Sequence, residues 1–227
     1  MDVRERLGEG EAVDLAQVCE RFVGAALHVG VPEVRHEVTR RAEGDQPAAA
    51  ADLPSRDRSR LHDADARPIA KGRLGKPVQF GYKAQVLDND AGVVLDHTVE
   101  RGNPADAPQL APAVGRVIRR TRRRPRTGTA DRGYGEAKVE GELHELGVRT
   151  VVIPRKGRPG KARQAHERSR AFRRTVRWRT GSEAWISTLK RGYGWDRTHL
   201  DDLEGAQIWA GHGVLAHNLV KISALAA

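Results

Sequence analysis

"VQFGYKAQVLDNDAGVVLDHTVERGN", residues 78–103, decides the fold. Val78, Phe80, Tyr82, Ala84 and Val86 alternate with Gln79, Gly81, Lys83 and Gln85. That period of two sets one side of a strand against a core. "DNDAG" (88–92) carries the residues of a tight turn, and "VVLDHTVERGN" (93–103) returns as the antiparallel partner. Asp88, Asp90 and Asp96 are accounted for as turn or hairpin residues.

Beyond the hairpin the period changes. "DAPQLAPAVGRVIRRT" (106–121) reads as a helix, with Asp106 at the N-cap and Leu110, Val114 and Val117 on the buried side. "RTGTADRGYG" (126–135) holds a short strand ending near Asp131. "EAKVEGELHELG" (136–147) is a helix closed by Gly147, and "VRTVVIP" (148–154) is an apolar strand. "RKGRPGKARQAHERSR" (155–170) reads as a basic, mobile connection. A long helix follows through "RWRTGSEAWISTLKRGYG" (177–194), and "GHGVLAHNLVKISALAA" (211–227) closes the chain as another. Paired strands, helix, strand, helix, strand, helix is the order of an α/β, ribonuclease-H-like fold, provided one more strand precedes residue 78. The expectation is a mixed sheet flanked by helices.

Upstream, Leu15, Val18, Phe22 and Ala26 fall on one helical face, Gly30 stops that helix, and "PEVRHEVTRRAEG" (32–44) suggests another. Between Ala42 and Ser59 periodicity disappears and Pro, Ala and charge take over. The expected organisation is a short helical N-terminal extension (1–45), a linker (46–59) and a catalytic domain (60–227).

Composition narrows the function. The 227 residues hold 40 Lys and Arg against 30 Asp and Glu, a net charge of +10. Residues 1–50 have 6 basic and 10 acidic side chains, so the whole excess lies downstream. "RVIRRTRRRPR" (116–126) has seven arginines, and Arg149 to Arg179 contains twelve basic residues against one acid, Glu167. Such a surface suits a polyanion, because each phosphate it neutralises releases counterions. A solvated face is the plainer explanation of such runs. One cysteine, Cys19, excludes an internal disulfide and a cysteine metal cluster. No apolar run approaches the roughly 20 residues of a membrane span, and no signal pattern opens the chain, so a cytoplasmic location is expected.

Cleaving phosphodiesters in a fold of this kind takes two divalent ions roughly 4 Å apart. Hard ions select oxygen ligands, so the chemistry must be carried by carboxylates. Asp131 stands at the end of a central strand, before the flexible "RGYG"; capping the next helix is its alternative role. Glu183 shares a helical face with Arg179, Ile186 and Lys190, either as an ion-pair stripe or as a metal-facing carboxylate flanked by phosphate-binding cations. Trp178 and Trp195, beside arginines, are candidates for stacking on a splayed base, while Trp185 is expected in the core. His212 and His217 are expected to be structural, and the glycine-rich segments lack the Gly-Lys-Ser/Thr ending of a P-loop.

"DADARPIAKGRLGKPVQFGYKAQV", "GNPADAPQL", "TADRGYG", "RWRTGSEAWISTLKRGYGWDR" and "GVLAHNLVKI" occur in this order from about residue 60 onward. Together they resemble the catalytic domain of the Asp-Asp-Glu (DDE) transposases of bacterial insertion sequences. The glutamate helix of such enzymes carries Tyr, Arg, Glu and Lys at set offsets; here Arg179, Glu183 and Lys190 match, while Val176 holds the tyrosine position. The resemblance implies a catalytic, metal-binding trio of Asp63, Asp131 and Glu183, with Asp65 as the alternative first aspartate. It implies two Mg²⁺ ions, with Mn²⁺ as a substitute, and DNA contacts from Arg179, Lys190, Arg191 and Arg132. The implied partners are the insertion-sequence ends and target DNA, handled by a homodimer associated with the nucleoid. A catalytically inactive DNA-binding remnant is the alternative, because related transposases are longer at the N-terminus.

Overall fold

The hairpin organises the sheet. In the computed structural model, which describes residues 26–30, 33–36, 63–69 and 78–226, β4 (Gln79–Asp88) pairs antiparallel with β5 (Val94–Arg101), from Tyr82 opposite Arg101 to Asp88 opposite Val94. The turn is closed by Asn89, whose side chain accepts N–H bonds from Ala91 (3.1 Å) and Val93 (2.9 Å). Gly92 supplies the left-handed residue at φ 75°. β3 (Arg67–Ile69) continues along the same edge of β4 as β5.

The opposite edge of β4 is taken by β1 (Ala26–Gly30) and β2 (Glu33–His36), both antiparallel to it. β1 runs parallel to β6 (Thr127–Ala130), and β6 parallel to β7 (Thr150–Val152). The spatial order β5–β4–β1–β6–β7 is that of the ribonuclease-H-like fold, and β1 is the strand that had to precede residue 78. It lies where an N-terminal helix was expected. In the central slot "ALHVG" finds ladder partners on both sides, which outweighs a helical spacing of its apolar residues. β2 likewise takes residues 33–36 out of the second expected helix (32–44), because they pair with β4; the rest of the expected N-terminal helices and the linker at 46–59 lie outside the described residues.

Helices cover both faces. α1 (Ala107–Thr121) and α2 (Ala137–Glu145) bury Leu110, Val114, Val117, Val139 and Leu143 against Leu87, Ala130 and Val151. On the other face lie α4 (Arg170–Gly192) and α5 (Asp202–Ala226), where Tyr82, Ala84 and Val86 of β4 meet Leu189, Trp195, Ala206 and Ala210. The alternation along 78–86 therefore selects which layer each side chain joins. Even the polar members Lys83 and Gln85 are buried, as expected of a central strand covered on both sides.

Three expectations about this framework are corrected. The segment after Pro154 is no loose connection: α3 (Lys161–Arg168) forms within it and α4 begins at Arg170. Glu140 and Glu167 neutralise Arg155 and Arg163 there, at distances of 2.8 to 3.0 Å, so the basic run condenses onto α2. Trp195 is no stacking platform: it is fully buried and its indole N–H donates to Ala210 O at 3.0 Å. Asp96 does more than shape a hairpin, since its carboxylate is buried between Arg116 (2.7 Å) and Arg120. His217 is structural as expected, buried with Nε2 2.8 Å from Gly92 O. No helix among the described residues is long and apolar enough to cross a membrane.

Candidate metal and nucleic-acid site

Asp131 leaves the end of β6 with extended backbone and caps a 3-10 turn, Arg132–Tyr134, by accepting the N–H of Gly133 at 2.6 Å. The turn is tight because of what it touches. Gly135 O accepts the N–H of Lys156 at 2.8 Å, and a Cβ on Gly135 would sit 1.9 Å from Pro154 O. Arg132 reaches the same segment, donating to Gly157 O at 2.7 Å and Arg155 O at 3.2 Å. The turn after Asp131 is thus clamped to the segment that follows β7, while Asp131 itself stays partly exposed.

Asp106 stands next to it. It occupies the N-cap position of α1, yet its side chain makes no capping bond; Lys83 Nζ lies 2.5 Å from its Oδ1 and also donates to Pro104 O at 2.6 Å. A buried ammonium without a counter-charge is costly, so the carboxylate is drawn to Lys83 rather than to the helix N–H groups. Tyr134 is fully buried and its hydroxyl has no hydrogen-bond partner among the described residues. Burial, then the charges of Asp106 and Asp131, hold its ionisation far above the ordinary range.

Asp63 is placed differently. It is 2% exposed, and the Tyr82 hydroxyl donates to both its oxygens at 2.8 and 2.7 Å. Its Oδ1 also accepts N–H bonds from Asp65 and Ala66, closing the turn before β3. Burial, followed by the Asp63 contact, raises the Tyr82 pKa beyond its usual range. Tyr82 belongs to the α4/α5 face and its neighbour Lys83 points to the α1/α2 face, so Asp63 and Asp106 are held on opposite sides of β4. Asp65 is tied to Arg101 at 2.5 Å and accepts the N–H of Leu203 at the start of α5; the Arg101 contact leads in lowering its pKa.

Glu183 lies in α4, which packs across β1, β6 and β7 and so over the strand that presents Asp131. Its side chain is outside the described residues. On the same helix Arg179 and Lys190 are half-buried and Arg191 is exposed. Arg119, Arg120, Arg122, Arg123, Arg124 and Arg126 are exposed where α1 ends and β6 begins, the opposite end of that strand from Asp131.

The donor chemistry at Asp131 and Asp106 fits a hard divalent ion: two partly exposed carboxylates, no sulfur or imidazole. At Asp63 it does not fit in this conformation, since both oxygens are already occupied. No group of three His, Cys, Asp or Glu side chains placed to share an ion occurs among the described residues. Lys83, Asp106 and Tyr82 were not singled out as site residues from sequence. A lysine at a buried strand position was the available signal, because only a paired lysine is retained there.

A family model described as a transposase DDE domain matches residues 51–219. No curated protein matches the chain. Among solved structures it is similar to a piggyBac transposase synaptic complex with hairpin DNA, with a TM-score of 0.54, 11% identity, and coverage of 92% of this chain and 49% of that one. A Mos1 strand transfer complex aligns with a TM-score of 0.39 and 15% identity over 89% of this chain and 51% of that one. The chain therefore spans about half the length of these structures.

Proposed function

The chain belongs to the transposase DDE-domain family, and from that premise we propose that it is a DNA transposase, a polynucleotidyl transferase that cleaves the ends of an insertion sequence and joins them to target DNA. The observation that carries this reading is Asp131 at the tip of β6, beneath the α4 helix that holds Glu183. Assigned by position, Asp63, Asp131 and Glu183 are the trio; Asp63 would join the other two only on releasing Tyr82. A divalent ion such as Mg²⁺, or Mn²⁺ in its place, would be held by these carboxylates and would supply the charge needed to activate water or a 3′-hydroxyl and to stabilise the leaving oxygen. The chain's own contribution is to orient DNA. Arg179, Lys190 and Arg191 on α4 lie along the helix of Glu183, suited to phosphates flanking the cut. Arg132 steadies the strand-end loop beside Asp131.

The direct test is Glu183→Gln, with Mg²⁺ and a labelled duplex carrying an element end. Strand cleavage should vanish while the gel shift of that duplex is retained; unchanged cleavage would sink the assignment. A second reading, an inactive DNA-binding remnant, is favoured by one observation: β1, the strand beside β6, is "ALHVG" and brings no carboxylate to Asp131. Shifted but uncut DNA with the unaltered chain would select that reading. A homodimer also belongs to the proposal, supported by Leu215, Leu219 and Val220, exposed on α5; sedimentation at rising concentration tests it.

A further inference from the structure

Three parts of the chain converge where α1 begins: Lys83 from the middle of β4, Asp106 from the "GNPAD" loop and Asp131 from the end of β6. Lys83 Nζ pairs with Asp106 Oδ1 at 2.5 Å, while Asp106 Oδ2 lies on the Gly133 side. The point where a Cβ of Gly133 would lie is 2.9 Å from Asp131 Oδ1 and 3.6 Å from Asp106 Oδ2. Gly133 has no Cβ, so the two carboxylates face a common gap. The Tyr134 hydroxyl, close enough for the charges of both carboxylates to act on it, is fully buried and without a hydrogen-bond partner among the described residues.

Each feature is costly by itself. Two carboxylates around one gap repel, and a buried hydroxyl left unsatisfied loses the hydrogen bonds it had to water. Lys83 neutralises one carboxylate only. A cation between Asp106 and Asp131 would remove the repulsion, and a water in its hydration shell would give the Tyr134 hydroxyl a partner. Mg²⁺ characteristically binds through one or two carboxylates, keeping its other positions for water and phosphate oxygens.

We infer that Asp106 is a metal ligand of the Asp131 site: Asp106 and Asp131 together hold one divalent cation, and Lys83 is the positioning residue that aims Asp106 at it. The inference rests on the transposase reading and changes its donor set, because Asp63 is engaged on the opposite face of β4. Lys83 takes Asp106 Oδ1 out of the contest for helix N–H groups and leaves Oδ2 for the ion. Gly133 keeps the gap free of side-chain atoms.

The test uses the full chain and Mn²⁺ alone as probe, titrated by electron paramagnetic resonance without DNA, with cleavage of an end-containing duplex measured in parallel. Asp106→Asn and Asp131→Asn should each weaken Mn²⁺ binding more than about a hundredfold, beyond the roughly 10- to 100-fold that loss of an outer-shell partner costs. Asp90→Asn, in the exposed hairpin turn, should leave it unchanged. Asp106→Glu keeps the charge and displaces the oxygens, so it should still weaken binding several-fold. It also replaces the asparagine variant if circular dichroism shows that one unfolded. If Asp131→Asn abolishes binding and cleavage while both Asp106 variants match the unaltered chain, the Asp106 assignment is overturned and the transposase reading stands. If the unaltered chain neither binds Mn²⁺ saturably nor cuts the duplex, both fall together.

Discussion

Replacing Asp88 by asparagine should change how stability depends on pH. Asp88 ends β4 at 3% exposure, and neither carboxyl oxygen has a hydrogen-bond partner among the described residues. Burial raises its pKa from an ordinary 3.8 to about 8. The folded chain therefore keeps this proton over a range in which the unfolded chain has released it. For a raised pKa the favourable contribution is complete below about pH 4 and is lost as pH rises towards about 8, at about 1.4 kcal/mol per pH unit. The accumulated loss is on the order of 5 kcal/mol, a large part of a domain's usual stability. Asparagine has nearly the same shape and cannot ionise. The stability difference, Asp88→Asn minus unaltered chain, should then grow by several kcal/mol in favour of the variant between about pH 5 and about pH 8. His97 and His217, whose pKa values burial lowers, act with the opposite sign by favouring the unfolded state in acid. They are common to both chains and cancel in the difference. Urea denaturation across that range measures it, and a difference constant to within about 0.5 kcal/mol would refute the reasoning.

Gly135→Ala should lower the thermal midpoint sharply or leave the chain insoluble, because its methyl group would lie 1.9 Å from the Pro154 carbonyl oxygen and the backbone must separate to admit it. Asp96→Ala should cost about 3 kcal/mol in urea denaturation, leaving the half-buried Arg116 without its counter-ion; a loss below about 1 kcal/mol would count against a structural ion pair. Changing Arg122, Arg123 and Arg124 together to glutamine should flatten the salt dependence of DNA binding, by about 0.9 in the log–log slope for each phosphate that is no longer neutralised. An unaltered slope would assign that arginine run to plain solvation.

Local pattern carried much of the architecture. The alternation at 78–86 marks β4, the turn residues at 88–92 close the hairpin, and the periodicity of 106–121 marks α1, because each depends on neighbours a few residues apart. Pattern failed at Ala26–Gly30, whose strand state comes from pairing with β4 and β6, more than fifty residues away in sequence. It failed again at 155–170, where a run of like charges looked solvated. Its counter-charges, Glu140 and Glu167, come together with Arg155 and Arg163 only after α2 and α3 have packed.

The candidate site divides in the same way. Asp131, the "RGYG" turn and the helix of Glu183 were visible as motifs, since a strand end and a helix face are local properties. By itself the sequence determined the order of elements from the hairpin to β7, the basic excess and the family. Which carboxylates can share an ion was decided by tertiary structure alone. Tyr82 and Lys83 are adjacent in sequence, yet the pleat of β4 sends them to opposite faces, so one holds Asp63 and the other holds Asp106 beside Asp131.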